Sequence, residues 1–168
     1  KIGCDRPVNY NKENLNTVLK SEFPNGVDVV YECVGGEMFE TCVRNLAIHG
    51  CLIIIGMIQN YEAGVADQAS KNNPAFYGSL PLRMLQKSSS IRGFFLPHFR
   101  NHSAAYMGKL VDAVNAQKIT SAVDMGESTG RKFRELDDIT RAVQYMYDKK
   151  NIGKVVVEIN CTDSSSNL

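Results

Sequence analysis

Three glycine-bearing turns end three strand-like runs. Val34-Gly35-Gly36 comes after residues 27–32, Gly56 after residues 51–55, and Gly93 interrupts residues 89–96. Glycine lets a backbone approach a ligand closely because no Cβ stands in the way. Where parallel strands end side by side, ligands bind just beyond their carboxyl ends. Three such edges in a row would suit an extended ligand such as a dinucleotide. Glycines at strand ends also serve simply to turn the chain, and both readings stay open on this feature alone. Cys33 follows the first of these runs, where a thiol is either reactive or an ordinary turn cysteine.

Other chemistry is missing. There is no Gly-x-Gly-x-x-Gly after a strand, no Walker lysine loop and no Gly-x-Ser-x-Gly elbow. His49, His98 and His102 lack the spacing of helical metal ligands, because Pro97 and Asn101 put a helix start between the last two. No metal site is expected. The five cysteines, at 4, 33, 42, 51 and 161, are odd in number and contain no Cys-x-x-Cys pair. That disfavours a disulfide framework and a structural zinc, and predicts the reduced thiols of an intracellular protein. Lys plus Arg is 19 and Asp plus Glu is 18, a net charge of +1 that argues against a nucleic-acid surface. The local cluster Arg131-Lys132-Phe133-Arg134 reads as a solvated loop face. No apolar run approaches the ~20 residues of a membrane span. Neither nucleic acid nor membrane is an expected partner.

The elements that must position these turns come from periodicity and punctuation. The 168 residues are 43% hydrophobic and 22% charged, an ordinary globular balance for one domain. Asn11 is a candidate cap for a short helix carrying Leu15, Val18, Leu19 and Glu22. Pro24-Asn25-Gly26 predicts a turn, and the β-branched run at 27–32 a strand. Met38, Phe39, Cys42, Val43 and Leu46 recur at helical spacing, with His49-Gly50 as the helix end. Residues 51–55 form a continuous apolar run of the kind buried on both faces of a parallel sheet. Residues 57–77 read as a long loop, 80–87 as a short helix and 89–96 as a strand broken at Gly93. Ala104, Met107, Leu110, Val111 and Val114 mark an amphipathic helix, and Leu136, Ile139, Val143 and Met146 another. Gly153 stops the latter, and residues 155–159 predict a last strand before a polar tail. Strands alternating with helices predict an α/β fold with a parallel sheet.

Four segments, in order, resemble the medium-chain dehydrogenases/reductases. Gly3-Cys4-Asp5-Arg6-Pro7-Val8-Asn9-Tyr10 is similar to their G-x-D-x-x-I-N-Y segment. Residues 26–36 are similar to G-V-D-V-V-x-D-x-V-G-G, residues 50–56 to G-x-L-I-x-I-G, and residues 151–157 to N-x-G-K-V-V-V. Within that family the zinc-free quinone oxidoreductase branch fits best. Gly93-Phe94-Phe95-Leu96 and Gln144-Tyr145-Met146-Tyr147 narrow the likeness to its enone-reducing members. The resemblance implies a Rossmann-type nucleotide-binding domain with a parallel sheet. In the family, the glycine-rich phosphate turn and the substrate domain precede a segment like residues 3–10. The sheet is therefore expected to be incomplete at its N-terminus, with C-terminal elements that would return to a missing substrate domain. The implied division is residues 1–118 for the dinucleotide-binding portion, 119–160 for those C-terminal elements and 161–168 for the tail.

What the resemblance implies about activity is NADPH-dependent reduction of the carbon–carbon double bond of α,β-unsaturated ketones, such as 15-oxoprostaglandins, by hydride transfer. A quinone reductase of the same branch and a non-catalytic nucleotide-binding module are the alternatives. By resemblance, Tyr10 would lie near the adenosine ribose phosphate and Cys33 beside the cofactor at a strand end. Ile55, Gly56 and Tyr61 would approach its pyrophosphate-to-nicotinamide half. Phe94, Phe95 and Leu96 would flank the nicotinamide, and Asn151 would close the site. Tyr61 is the implied catalytic residue, its phenol donating to the developing enolate oxygen. Lys12 stands one place later than the family's lysine, and Cys33 stands where the family often has Ser or Asn. Related reductases pair through a sheet edge, which implies a homodimer. Ser166-Asn167-Leu168 resembles the peroxisomal Ser-Lys-Leu address, with cytoplasmic and mitochondrial locations as alternatives.

Overall fold

The computed structural model describes residues 3–58, 73–120 and 122–159. The chain forms two compact units, Lys1–Asn101 and His102–Leu168.

In the first unit, α1 (Leu15–Glu22) is capped by Asn14, whose Oδ1 accepts from the Thr17 N–H at 3.0 Å. The expected cap, Asn11, instead donates its N–H to Asn9 Oδ1. A cap must sit immediately before the first helical residue, and the turn Asn9–Lys12 keeps Asn11 out of that position. Gly26, at φ 86°, then turns into β1 (Val27–Glu32). A Cβ there would lie 2.6 Å from the Ala47 nitrogen, so only glycine fits.

Helix α2 (Gly36–Arg44) is shorter than its apolar spacing suggested. Buried Asn45 ends it, its Nδ2 donating to the Thr41 carbonyl at 2.8 Å and to Asn16 Oδ1 at 2.9 Å. Leu46 is therefore not the last residue of the helix face but the first of β2 (Leu46–Ile54). It pairs with Val27, and parallel pairing resumes at Val29 with Cys51 and runs to Glu32 with Ile54. The residues between form a bulge in which His49 takes φ 64°. Helix α3 (Pro74–Lys87) starts well before the expected Leu80. Asn73 caps it through the Phe76 N–H at 3.2 Å, and Pro74 opens it, where no N–H partner is required. β3 (Ser90–Gly93) pairs parallel with β2, from Cys51 with Ser90 to Ile54 with Gly93. The sheet order is β1-β2-β3, each step crossing through a helix. Val43, Leu46, Leu52 and Phe76 form its core, with Phe39 and Tyr77 packed on Phe76.

The 3-10 stretch Leu96–His102 ends the first unit, and the second continues into α4 (Ser103–Asn115). The apolar spacing of α4 predicted a buried face, yet none of its residues is buried. β4 (Val123–Asp124) pairs parallel with β5 (Lys154–Val155), and Arg134 bridges Glu158. The last strand is thus shorter than residues 155–159 and belongs to a two-stranded sheet of its own. Leu136–Asp138 is a 3-10 turn ahead of α5 (Ile139–Tyr147). Phe133, Ala142 and Tyr145 make the core.

A candidate cofactor edge at three strand ends

Parallel pairing aligns Glu32, Ile54 and Gly93 as the last residues of three adjacent strands. The chain leaving each strand is tied to its neighbour. Ile55 donates its N–H to the Glu32 carbonyl at 2.8 Å, Phe94 to that of Ile54 at 2.8 Å, and Ile58 to that of Cys33 at 3.1 Å. These bonds bring Cys33, Ile55, Gly56 and Phe94 to one edge. Gly35 and Gly36 take φ 83° and 54°, the left-handed region that side chains avoid. A Cβ on Gly93 would meet nothing within 4 Å, and one on Gly56 would touch the Cys33 carbonyl at 3.5 Å. The edge is therefore built of backbone with little side-chain bulk over it.

Beyond β3 the surface is aromatic. Phe94 stacks on Phe99 with centroids 4.7 Å apart, and Phe95 meets the His98 ring edge-on at 5.2 Å. Phe95 and Leu96 are about two-thirds exposed. Exposed apolar side chains gathered at a glycine edge mark a binding surface, and flat rings match a planar heterocycle. Among the described residues the Phe95 N–H has no hydrogen-bond partner, which leaves a backbone donor beside those rings.

Glu32, which the sequence reading took only as the end of a strand, also stands at this edge. Its carboxylate is buried, and Oε1 accepts from the N–H groups of Val34 and Gly35, each at 2.8 Å. The signal was an acidic residue placed just before a Val-Gly-Gly turn. Cys33 is exposed at the edge, whereas Cys42 lies behind it on α2. Burial, then the negative charge of Glu32, pushes the Cys42 thiol up to about 11, which leaves it protonated and inert.

The remaining expected residues lie elsewhere. Tyr10 is exposed on the turn before α1, not at a strand end. That segment is pinned by Arg6, which reaches Glu13 at 2.7 Å and Glu22 at 2.8 Å and holds both carboxyls below their usual range. Asn151 belongs to the second unit, where its Nδ2 donates to the Gly153 carbonyl at 2.8 Å. Tyr61 lies outside the described residues. The basic cluster is neutralised locally. Arg131 pairs with Asp138, Lys132 with Glu127 and Arg134 with Glu158. Among the described residues no three His, Cys, Asp or Glu side chains gather as a metal site, and no helix is long and apolar enough to cross a membrane.

A family model described as zinc-binding dehydrogenase matches residues 1–114. Prostaglandin reductase-3 of Bos taurus is 43% identical over 159 residues, which are 94% of this chain and 41% of that protein. A probable quinone oxidoreductase of Leishmania amazonensis is 39% identical over 158 residues, 94% of this chain and 44% of that protein. The crystal structure of CurA in complex with NADPH from Vibrio vulnificus superposes with a TM-score of 0.72 at 21% identity, over 94% of this chain and 44% of that one. The chain thus spans less than half the length of the relatives it matches. The first unit has the parallel α/β architecture of a Rossmann-type cofactor-binding domain.

Proposed function

This chain belongs to the zinc-binding dehydrogenase family, within the medium-chain dehydrogenases/reductases, and we propose that it supplies part of the cofactor cleft of an NADPH-dependent reductase of α,β-unsaturated ketones. The observation that carries this reading is the aligned edge of three parallel strands, with Gly35-Gly36, Gly56 and Gly93 on it and an aromatic surface beside it. The bare backbone, and a Phe95 N–H with no partner among the described residues, fit an extended cofactor with a planar head. When bound, the dihydronicotinamide supplies a hydride to the β-carbon of the enone, and a proton completes the α-carbon. Phe94, Phe95 and Leu96 flank the nicotinamide and exclude water from one side of it. Ile55, Gly56 and Cys33 line the path toward the phosphates. Tyr10 would stand at the adenosine ribose phosphate, and the Tyr61 phenol would donate to the oxygen on which enolate charge develops.

The test is NADPH consumption by the protein carrying this chain, with an enone such as a 15-oxoprostaglandin. The expected product is the saturated ketone, formed in step with NADP⁺. Phe95→Ala should raise the NADPH KM about tenfold, the loss of one ring contact with the nicotinamide. NADPH binding without turnover of any enone or quinone would overturn the reading in favour of a binding module. The name of the Leishmania relative favours quinone reduction as the second reading, and turnover of quinones alone would select it. The outer edge of β3 has no strand partner among the described residues, which supports a homodimer through that edge.

A further inference from the structure

At the β1 end of the strand-end edge stands a residue with no role in the function proposed above. Glu32 ends β1 with 3% of its surface exposed. A carboxylate folded inside loses its hydration and needs donors in return. Here the donors are unevenly shared. Oε1 takes the N–H groups of Val34 and Gly35, while Oε2 is buried with no partner among the described residues. Those two N–H groups belong to the turn that enters α2, whose N-cap, Gly35, has no side chain with which to cap it. Glu32 does the capping from behind, and its charge lies at the positive end of that helix.

The backbone of Glu32 acts on the other side. Its carbonyl accepts the Ile55 N–H at 2.8 Å, one residue before Gly56. One residue thereby ties the Gly35-Gly36 turn to the exit of β2. The left-handed angles of Gly35 and Gly36 are open to glycine but not imposed by it, so something outside the turn must select them. The Oε1 bonds are that restraint.

We propose that Glu32 is a positioning residue for the cofactor: its buried carboxylate holds the Val34–Gly36 turn in the shape against which the cofactor lies. The inference rests on the function proposed above. It makes two substitutions unequal. Glu32→Gln keeps an oxygen that accepts from Val34 and Gly35, whereas Glu32→Ala removes it. Gly35→Ala disturbs the same turn directly, since φ 83° disfavours any Cβ and the methyl would stand 3.6 Å from Met57.

The experiment measures NADPH Kd by nicotinamide fluorescence, kcat and KM with an enone, and the thermal midpoint, for wild type and the three variants. Glu32→Ala should raise NADPH Kd and KM about tenfold or more, the factor that matches loss of charge-assisted hydrogen bonds. Its kcat at saturating NADPH should stay within about threefold of wild type. Glu32→Gln should recover most of the affinity. Glu32→Ala and Gly35→Ala combined should cost less than the product of their separate effects, because both act through one turn. A lower thermal midpoint with Kd and KM unchanged would overturn the proposal, leaving Glu32 a purely structural residue. Fully multiplicative effects would also overturn it. If Glu32→Ala does not fold, Glu32→Gln and Gly35→Ala carry the same test. A wild-type protein that binds NADPH but reduces no enone sinks the function, while the Kd series still decides Glu32. One that does not bind NADPH sinks both.

Discussion

Leu52 and Phe133 are both wholly buried, yet they sit in different chemistry. Around Leu52, in the first unit, lie Val43, Leu46 and Phe76, apolar side chains from a helix, a strand and a second helix. Around Phe133, in the second, a thin apolar layer of Ala142 and Tyr145 is bounded by buried carboxylates. Asp124 accepts from the N–H groups of Ile152 and Gly126 at 2.7 and 2.8 Å, and its Oδ2 also meets the Tyr145 hydroxyl at 3.1 Å. Asp138 accepts the Arg134 N–H at 2.6 Å and pairs with Arg131 and Arg141. The guanidinium of Arg141 lies 5.0 Å over the Phe133 ring. The three-stranded sheet gathers a cluster of apolar side chains with α2 and α3, whereas beside the two two-residue strands the apolar layer is thinner and polar groups border it.

The largest effects should come from truncating the two anchors. Phe133→Ala should cost about 3–5 kcal/mol and Leu52→Ala about 2–5 kcal/mol. Hydrogen exchange should report each loss in its own unit, at residues 122–158 and 27–93 respectively. Protection lost in both units from either change would collapse the contrast.

Acid should separate the units next. The Arg134 N–H, then Arg131, holds the Asp138 carboxyl below its usual range. The Ile152 and Gly126 N–H groups, then the Tyr145 hydroxyl, do the same for Asp124. A carboxyl depressed in the folded state stabilises that state at pH above its unfolded pKa, about 3.9. The contribution fades as pH falls through the folded value. Below about pH 4, exchange protection in the second unit should therefore fall while the core around Leu52 persists. The first unit also has depressed carboxyls, Glu13 and Glu22, but their ion pairs with Arg6 are largely open to water and contribute little. Asp138→Asn should lower stability at neutral pH and flatten the acid dependence of the second unit. An unchanged acid profile would rule out Asp138 as its source.

The smallest effect sharpens the comparison. Tyr145→Phe keeps the ring packed on Phe133 but deletes a hydroxyl that meets Ser128 at 2.8 Å, Asp124 at 3.1 Å and the Lys150 carbonyl at 3.0 Å. A cost of about 1–2 kcal/mol by denaturant unfolding is expected. No cost would mean that the apolar layer alone holds the unit.

The sequence carried the strand-end site well and the second unit poorly. Residues 27–32 announce a strand because β-branched residues follow a Pro-Asn-Gly turn, and the structure keeps those limits. Cys33, Ile55, Gly56 and Phe94 were legible as strand-end residues because they flank the ends of strand-like runs, and chain order alone puts them there. Leu46 was misassigned because a residue two positions past a helix end still satisfies helical spacing. Only pairing with Val27 makes it a strand residue. Asn73 and Pro74 carried a valid start signal, overshadowed by the polar stretch before them. Glu32 was hidden because its partners are backbone N–H groups, which every sequence contains.

The sequence by itself determined the alternation of strands and helices, the glycine turns after each strand and the apolar residues of the first core. These follow from local sterics and from the burial of periodic side chains, both written residue by residue. Tertiary structure alone decided that Glu32, Ile54 and Gly93 end in line, that Glu32 ties two turns together, and that β5 pairs with β4 instead of joining the first sheet. Those outcomes depend on register and on which distant backbone groups meet, and hydrogen bonds between backbone groups carry no side-chain signature.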